Sequence, residues 1–227
     1  MRVVRRFSGI LLGVPLLGGC FLFPSGESSR VQDVPEGLKQ TRIVAPAVSD
    51  RHLYGDVTKL SAGQWARYRE DGVVLTLSVV GKDAEGVWVE VVEEGDPRAV
   101  SARLVTPGGI VKKAFYGEVS KDAKTAAMPQ ALRQWTAPAS APRETSRESS
   151  EEPCSVGGRP LAARRIRIRS EDDDGRLVEE VSLWHPDVPP LYAGSDAGGL
   201  VRRQSGPRRV ELLDFGTGAK PLLEVPR

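Results

Sequence analysis

The chain has 227 residues, with 32 Lys and Arg against 30 Asp and Glu and a formal charge of +2. This near balance argues against a general polyanion binder, and the length suits one domain with a real core better than two. Two cysteines and two histidines exclude a disulfide framework and leave little material for metal or imidazole chemistry.

The first residues are basic (Arg2, Arg5, Arg6) and run into an apolar stretch from Ile10 to Leu17, which ends in Gly18-Gly19-Cys20. Charge, a short apolar run and small residues in that order make an export signal, too short to span a membrane. The Leu17-Gly18-Gly19-Cys20 ending resembles the lipobox of bacterial lipoproteins. The resemblance implies cleavage before Cys20, acylation of its sulfur and its new amino group, and a chain held at a membrane surface by lipid. The alternative is an ordinary secretory peptide with an incidental cysteine. Arg5-Arg6-Phe7 is similar to a twin-arginine signal but lacks the polar residue ahead of the pair, so general secretion is the expected route. Phe21 follows the cysteine where enteric lipoproteins kept in the inner membrane carry Asp, so the resemblance implies an outer-membrane anchor facing the periplasm. Loss of residues 1–19 removes three arginines and takes the formal charge from +2 to −1. With Cys20 acylated, Cys154 has no partner in the chain and reads as an inert, partly buried small residue.

Residues 20–55 mix Ser, Pro, Gly and charge without a period and read as a flexible tether, with His52 solvated inside it. Residues 56–227 read as a single antiparallel β domain. From Gly63 the pattern changes to short runs rich in Val, Leu and aromatics, separated by glycine-containing turns. Gln64 to Arg69 and Val73 to Val80 flank a tight turn at Glu70-Asp71-Gly72. Val87, Val89 and Val91 continue one apolar face while Glu90 looks outward; Trp88 lies on the Glu90 side, so both faces are expected to be partly covered. Ala99 to Thr106 and Ile110 to Glu118 make another hairpin around Pro107-Gly108-Gly109.

Met128, Leu132 and Trp135 then fall at helical spacing, which predicts a short amphipathic helix over 126–135 with Pro129 in its first turn. Residues 136–153 are poor in apolar side chains and rich in Pro, Ser and charge, and read as a disordered loop whose loss leaves stability almost unchanged. Leu161 to Ser170 and Leu177 to His185 form a hairpin around an acidic turn, in which Glu180 is expected opposite Arg167. Leu200–Gln204 and Val210–Phe215 complete the set. The fold class is mainly β: a curved antiparallel sheet or half-barrel of about nine strands with one or two short helices.

No motif carries a reaction. Setting Gly175 at the sixth position of a calcium loop places Val181 where a bidentate Glu is required, so Asp172-Asp173-Asp174-Gly175 reads as a hairpin turn. No Ser/His/Asp or metal cluster assembles around His185 or His52. Glu93-Glu94 and Glu179-Glu180 are neighbours on strands and point to opposite faces, so neither pair shares a site. From Cys154 onward twelve Lys and Arg face eleven Asp and Glu, so the arginines have partners and nucleic acid is not expected; anionic membrane headgroups are the more natural contact. The reading is of a binding or structural protein, not an enzyme, with no cofactor and no metal.

Trp184-His185-Pro186-Asp187-Val188-Pro189, Gly194 to Arg202 and Val210 to Gly216 together resemble the C-terminal part of the LolA/LolB-like group of bacterial envelope proteins, and Gly63 to Tyr68 is similar to their first strand. The resemblance implies a half-barrel whose concave side, closed by helices, holds acyl chains or another apolar ligand. Trp135, Leu132 and Met128 would then face a concave sheet containing Leu75, Leu77, Val89 and Val91. The alternative is a structural or assembly lipoprotein that docks an envelope protein. A carrier needs more apolar surface than its own core can bury, which separates the two.

Overall fold

The computed structural model describes residues 47–49, 56–120, 126–136, 142–172 and 174–225. The chain divides into two compact units, Met1–Arg42 and Ile43–Arg227, and only the second contains described residues. The export signal, Cys20, His52 and most of the tether lie outside them.

The elements are β1 (Val48–Ser49), a 3-10 turn (Val57–Lys59), β2 (Trp65–Glu70), β3 (Val73–Lys82), β4 (Val87–Glu93), β5 (Arg98–Val105), β6 (Val111–Val119) and β7 (Met128–Pro129). They continue with β8 (Leu132–Arg133), β9 (Arg143–Val156), β10 (Arg159–Glu171), β11 (Leu177–His185), β12 (Gly194–Ser195), β13 (Gly198–Ser205) and β14 (Arg208–Gly216). Twelve of the strands form one open, antiparallel sheet in the order β7-β6-β5-β4-β3-β2-β14-β13-β11-β10-β9, with β12 on β13. Two meanders are thus joined by one non-local pairing, that of β2 with β14. β1 and β8 make a separate parallel pair. Among the described residues no helix is long and apolar enough to cross a membrane.

The mainly β, curved-sheet fold holds, with more strands than expected and almost no helix. Local chemistry explains the hairpins. Asp71 and Gly72 both take positive φ, 45° and 95°, which matches the turn twist to that of β2 and β3. Alternation then divides each strand: Ala66 and Tyr68, Leu75 and Leu77, and Val87, Val89 and Val91 all enter one buried cluster. On the other face Val92, Val100, Ala102 and Val119 pack against Leu223 of the C-terminal tail. Both faces of β4 are covered, as Trp88 and Glu90 suggested.

Three expectations are corrected. Residues 126–135 do not form a helix: Met128 pairs with Tyr116 and Pro129 with Phe115 at the edge of β6. Pro129 lacks the N–H a ladder needs but is tolerated at an edge, and so short a segment gains too few helical bonds to offset nucleation. The only helical element among the described residues is the 3-10 turn, where Asp56 caps the Thr58 N–H at 3.0 Å. The 136–153 segment is not a loop throughout, because 143–156 is the long strand β9. Its low apolar content did not exclude a strand, since its partners are the β10 backbone and cross-strand charges. Finally, Val48 is 4% exposed in the main core, so the tether is tied down before residue 55.

Leu77 sits at the centre of this core and Leu177 is 75% exposed at the start of β11. Leu77→Ala should cost about 2–5 kcal/mol in chemical denaturation. Leu177→Ala should stay within about 0.5 kcal/mol of the parent.

Candidate functional site

The structure scatters the residues expected to hold an apolar ligand. Leu75, Leu77, Val89 and Val91 do share one face, but they are 7%, 1%, 0% and 6% exposed. Val57 and Leu60 from ahead of β2, and Val188 and Leu191 from the loop after β11, belong to the same buried cluster. Tyr192 packs its ring on Tyr68, centroids 4.9 Å apart, and the Tyr68 hydroxyl donates to the Leu200 carbonyl at 3.0 Å. Burial drives the Tyr68 phenol well above its ordinary pKa. The inner face is therefore packed with the chain's own side chains.

Met128 and Trp135 are half-buried and Leu132 is exposed, and none of the three joins that cluster. Gln130, between them, is the buried member of the segment. Its N–H donates to Ala114 O at 2.8 Å, and its Oε1 accepts from Ser101 Oγ at 2.8 Å. Ser101 Oγ in turn accepts from Arg103 Nε at 3.1 Å, so a short polar chain crosses the end of the sheet where an apolar lid was expected.

An open groove of about 690 Å³ lies on the opposite face, between β2–β4 and the tail after β14. Its floor includes Thr76, Ser78 and Val92, and its walls include Trp65, Leu222 and the Arg67–Glu94 pair. Arg67 Nε lies 2.6 Å from Glu94 Oε1, and hydrogen bonding to Glu94 raises the Arg67 guanidinium above its ordinary value. The tail is held at two points. Trp65 Nε1 donates to Thr217 O at 3.2 Å and Ala219 N to Gly63 O at 2.9 Å. Further on, the Glu90 carboxylate, 1% exposed, accepts from Leu222 N (2.9 Å) and Leu223 N (3.0 Å). Sequence reasoning placed Glu90 outward, which it is, but missed that the tail covers it; no local pattern announces a contact across 133 positions.

The remaining candidates resolve as structure. Burial pushes the Cys154 thiol up, against a weaker pull from Arg202, which makes it a poor nucleophile. Asp172 Oδ1 accepts from Asp174 N and Arg176 N, so Asp172 spends its carboxylate on backbone, and the Asp174 carboxylate lies 3.6 Å from Arg176. Among the described residues no three His, Cys, Asp or Glu side chains cluster as a metal site. Arg167 and Arg169 both bind Glu179, at 3.0 and 3.1 Å, which holds that carboxyl below its usual range. The expected Arg167–Glu180 pairing is displaced by the register: Arg167 stands opposite Val181, and Glu180 reaches Arg203 instead. Glu152 bridges Arg165 and Arg202. The chain matches no family model, no curated protein and no solved structure.

Glu90→Ala leaves the Leu222 and Leu223 N–H groups without their acceptor and should cost about 1–3 kcal/mol. Limited proteolysis should then cut within 217–225 before it reaches the sheet, whereas the parent tail resists. A tail as resistant as the parent's would contradict the clasp.

Proposed function

We propose that this chain is an envelope lipoprotein, anchored through acylated Cys20 at the outer membrane and facing the periplasm, whose β domain docks a protein partner. The observation that carries the docking half is the packed inner face. A carrier of acyl chains requires an emptiable apolar cavity there, and Val57, Leu60, Val188, Leu191 and Tyr192 take up that side of the sheet. The lipobox residues alone support the anchor. The balanced arginine ladder on β9–β11 leaves no strong positive field, which favours a protein surface over a polyanion as the contact.

A second reading is that the domain binds an apolar or amphipathic ligand, and the groove beside Trp65, Val92 and Leu222 is the feature that favours it. Native mass spectrometry of the chain purified from membranes separates the two. The docking reading expects the mass of the acylated protein alone; a further stoichiometric lipid would move the conclusion to the carrier. For the anchor, Cys20→Ala should leave the signal uncut or shift the protein out of the membrane fraction. Normal processing with unchanged membrane association would reject lipidation.

A further inference from the structure

β9 closes one end of the sheet, and among the described residues it pairs with β10 alone. It is 14 residues long and has no buried residue before Val156. An edge of that length presents unpaired N–H and C=O groups to any other strand. The opposite end is blunted, because β7 has two residues and one of them is Pro129. Among the described residues β9 is thus the longer of the two terminal strands, and it is the one considered for extension.

The edge has its own limits. A register shift between Arg169 and Ser170 leaves Thr145 without a position opposite it on β10, its hydroxyl donating to Arg169 O at 3.0 Å, and Pro153 has no N–H to offer. Between these limits Ser146, Glu148, Ser150 and Glu152 lie on one face and Arg147, Ser149 and Glu151 on the other. Charges on such an edge normally repel further strands. Here they admit one arrangement. Two copies joined edge to edge around a two-fold axis keep each face on its own side, so a residue can oppose only residues of its own face. Antiparallel registers must then be centred on a residue.

Centring on Arg147, Glu148, Glu151 or Glu152 sets a charge against itself, and centring on Ser150 sets Glu148 against Glu152. A register centred on Ser146 runs into the bulge at Thr145. The register centred on Ser149 opposes no like charges. It places Arg147 opposite the other copy's Glu151, twice by symmetry, with Glu148 opposite Ser150 and Ser146 opposite Glu152. Glu151 is exposed and enters no salt bridge among the described residues, while Arg147 is exposed and holds only its own Glu144.

We propose that the partner of β9 is a second copy of this chain, paired antiparallel around Ser149 so that the two sheets become one. The pairing names a partner for the docking reading but does not depend on the anchor. A ladder of about seven residues a side is small for a stable interface, so association is weak in solution and is favoured where a membrane concentrates the copies.

The test uses the purified full chain in dodecylmaltoside, with self-association read by sedimentation. R147E alone and E151R alone each set like charges opposite one another twice and should weaken association about tenfold. An equimolar mixture of the two variants restores both opposite-charge pairs and should recover association as a heterodimer. Mild oxidation should link S149C into a disulfide dimer, because Ser149 faces its own copy, and should leave S146C monomeric. Failure of the mixture to recover, or S149C that stays monomeric, would overturn the proposal. Either result would leave the anchor and the docking of a different protein standing, whereas an unlipidated chain that still dimerises through Ser149 would end only the anchor.

Discussion

The pairing of β2 with β14 holds the two halves of the molecule together. It runs from Glu70↔Val210 to Trp65↔Gly216, and every other neighbour in the main sheet is close in sequence. Because of this seam, side chains from both meanders enter one core: Leu77 and Val89 from the first lie in the same cluster as Leu183 and Leu200 from the second. Tyr68 shows how the seam is locked. It stands opposite Leu212 on β14, while its hydroxyl reaches Leu200 on β13 and its ring meets Tyr192 from the loop before β12. A buried phenol with a satisfied hydroxyl tolerates little displacement.

The two faces of the sheet then take different covers. The inner face is closed by residues ahead of β2 and by the loop after β11, and the outer face by the tail that Glu90 clasps. A buried carboxylate is costly unless hydrogen-bonded, and two tail N–H groups meet that need while fixing where the chain ends its path. Farther along β9–β11, beyond Ala163 and Leu183 in the core, Arg165, Arg167 and Arg169 alternate with isoleucines and bind glutamates on both neighbouring strands. Exposed ion pairs of this kind contribute little stability each, yet as a ladder they specify register. That region carries the edge proposed here for a second copy.

Much of the sheet was legible because its signals are local. Alternation in Val73–Lys82 and Val87–Glu93, with turn residues at Asp71-Gly72 and Pro107-Gly108-Gly109, placed those hairpins close to where they are. β9 was not legible, because Arg-Glu-Ser sequence has the composition of disorder and becomes a strand only when β10 supplies complementary charge beside it. The helical spacing of Met128, Leu132 and Trp135 misled for a related reason: a bend at a sheet edge can reproduce the period of a helix without its bonds. The filling of the inner face was also hidden, since Val188 and Leu191 sit in a proline-rich stretch with no period. Of the residues suggested for a ligand, Leu75, Leu77, Val89 and Val91 were rightly placed on one face; what fills that face could not be read from them.

If the β2–β14 seam makes one cooperative domain of two meanders, native-state hydrogen exchange followed by mass spectrometry should show it directly. Peptides covering Trp65–Glu70 and Arg208–Gly216 should exchange only through global unfolding, with the same free energy as peptides from β4 and from β11. Exchange that opens β9–β14 while β2–β6 stay protected would contradict a shared core and describe two halves that only touch.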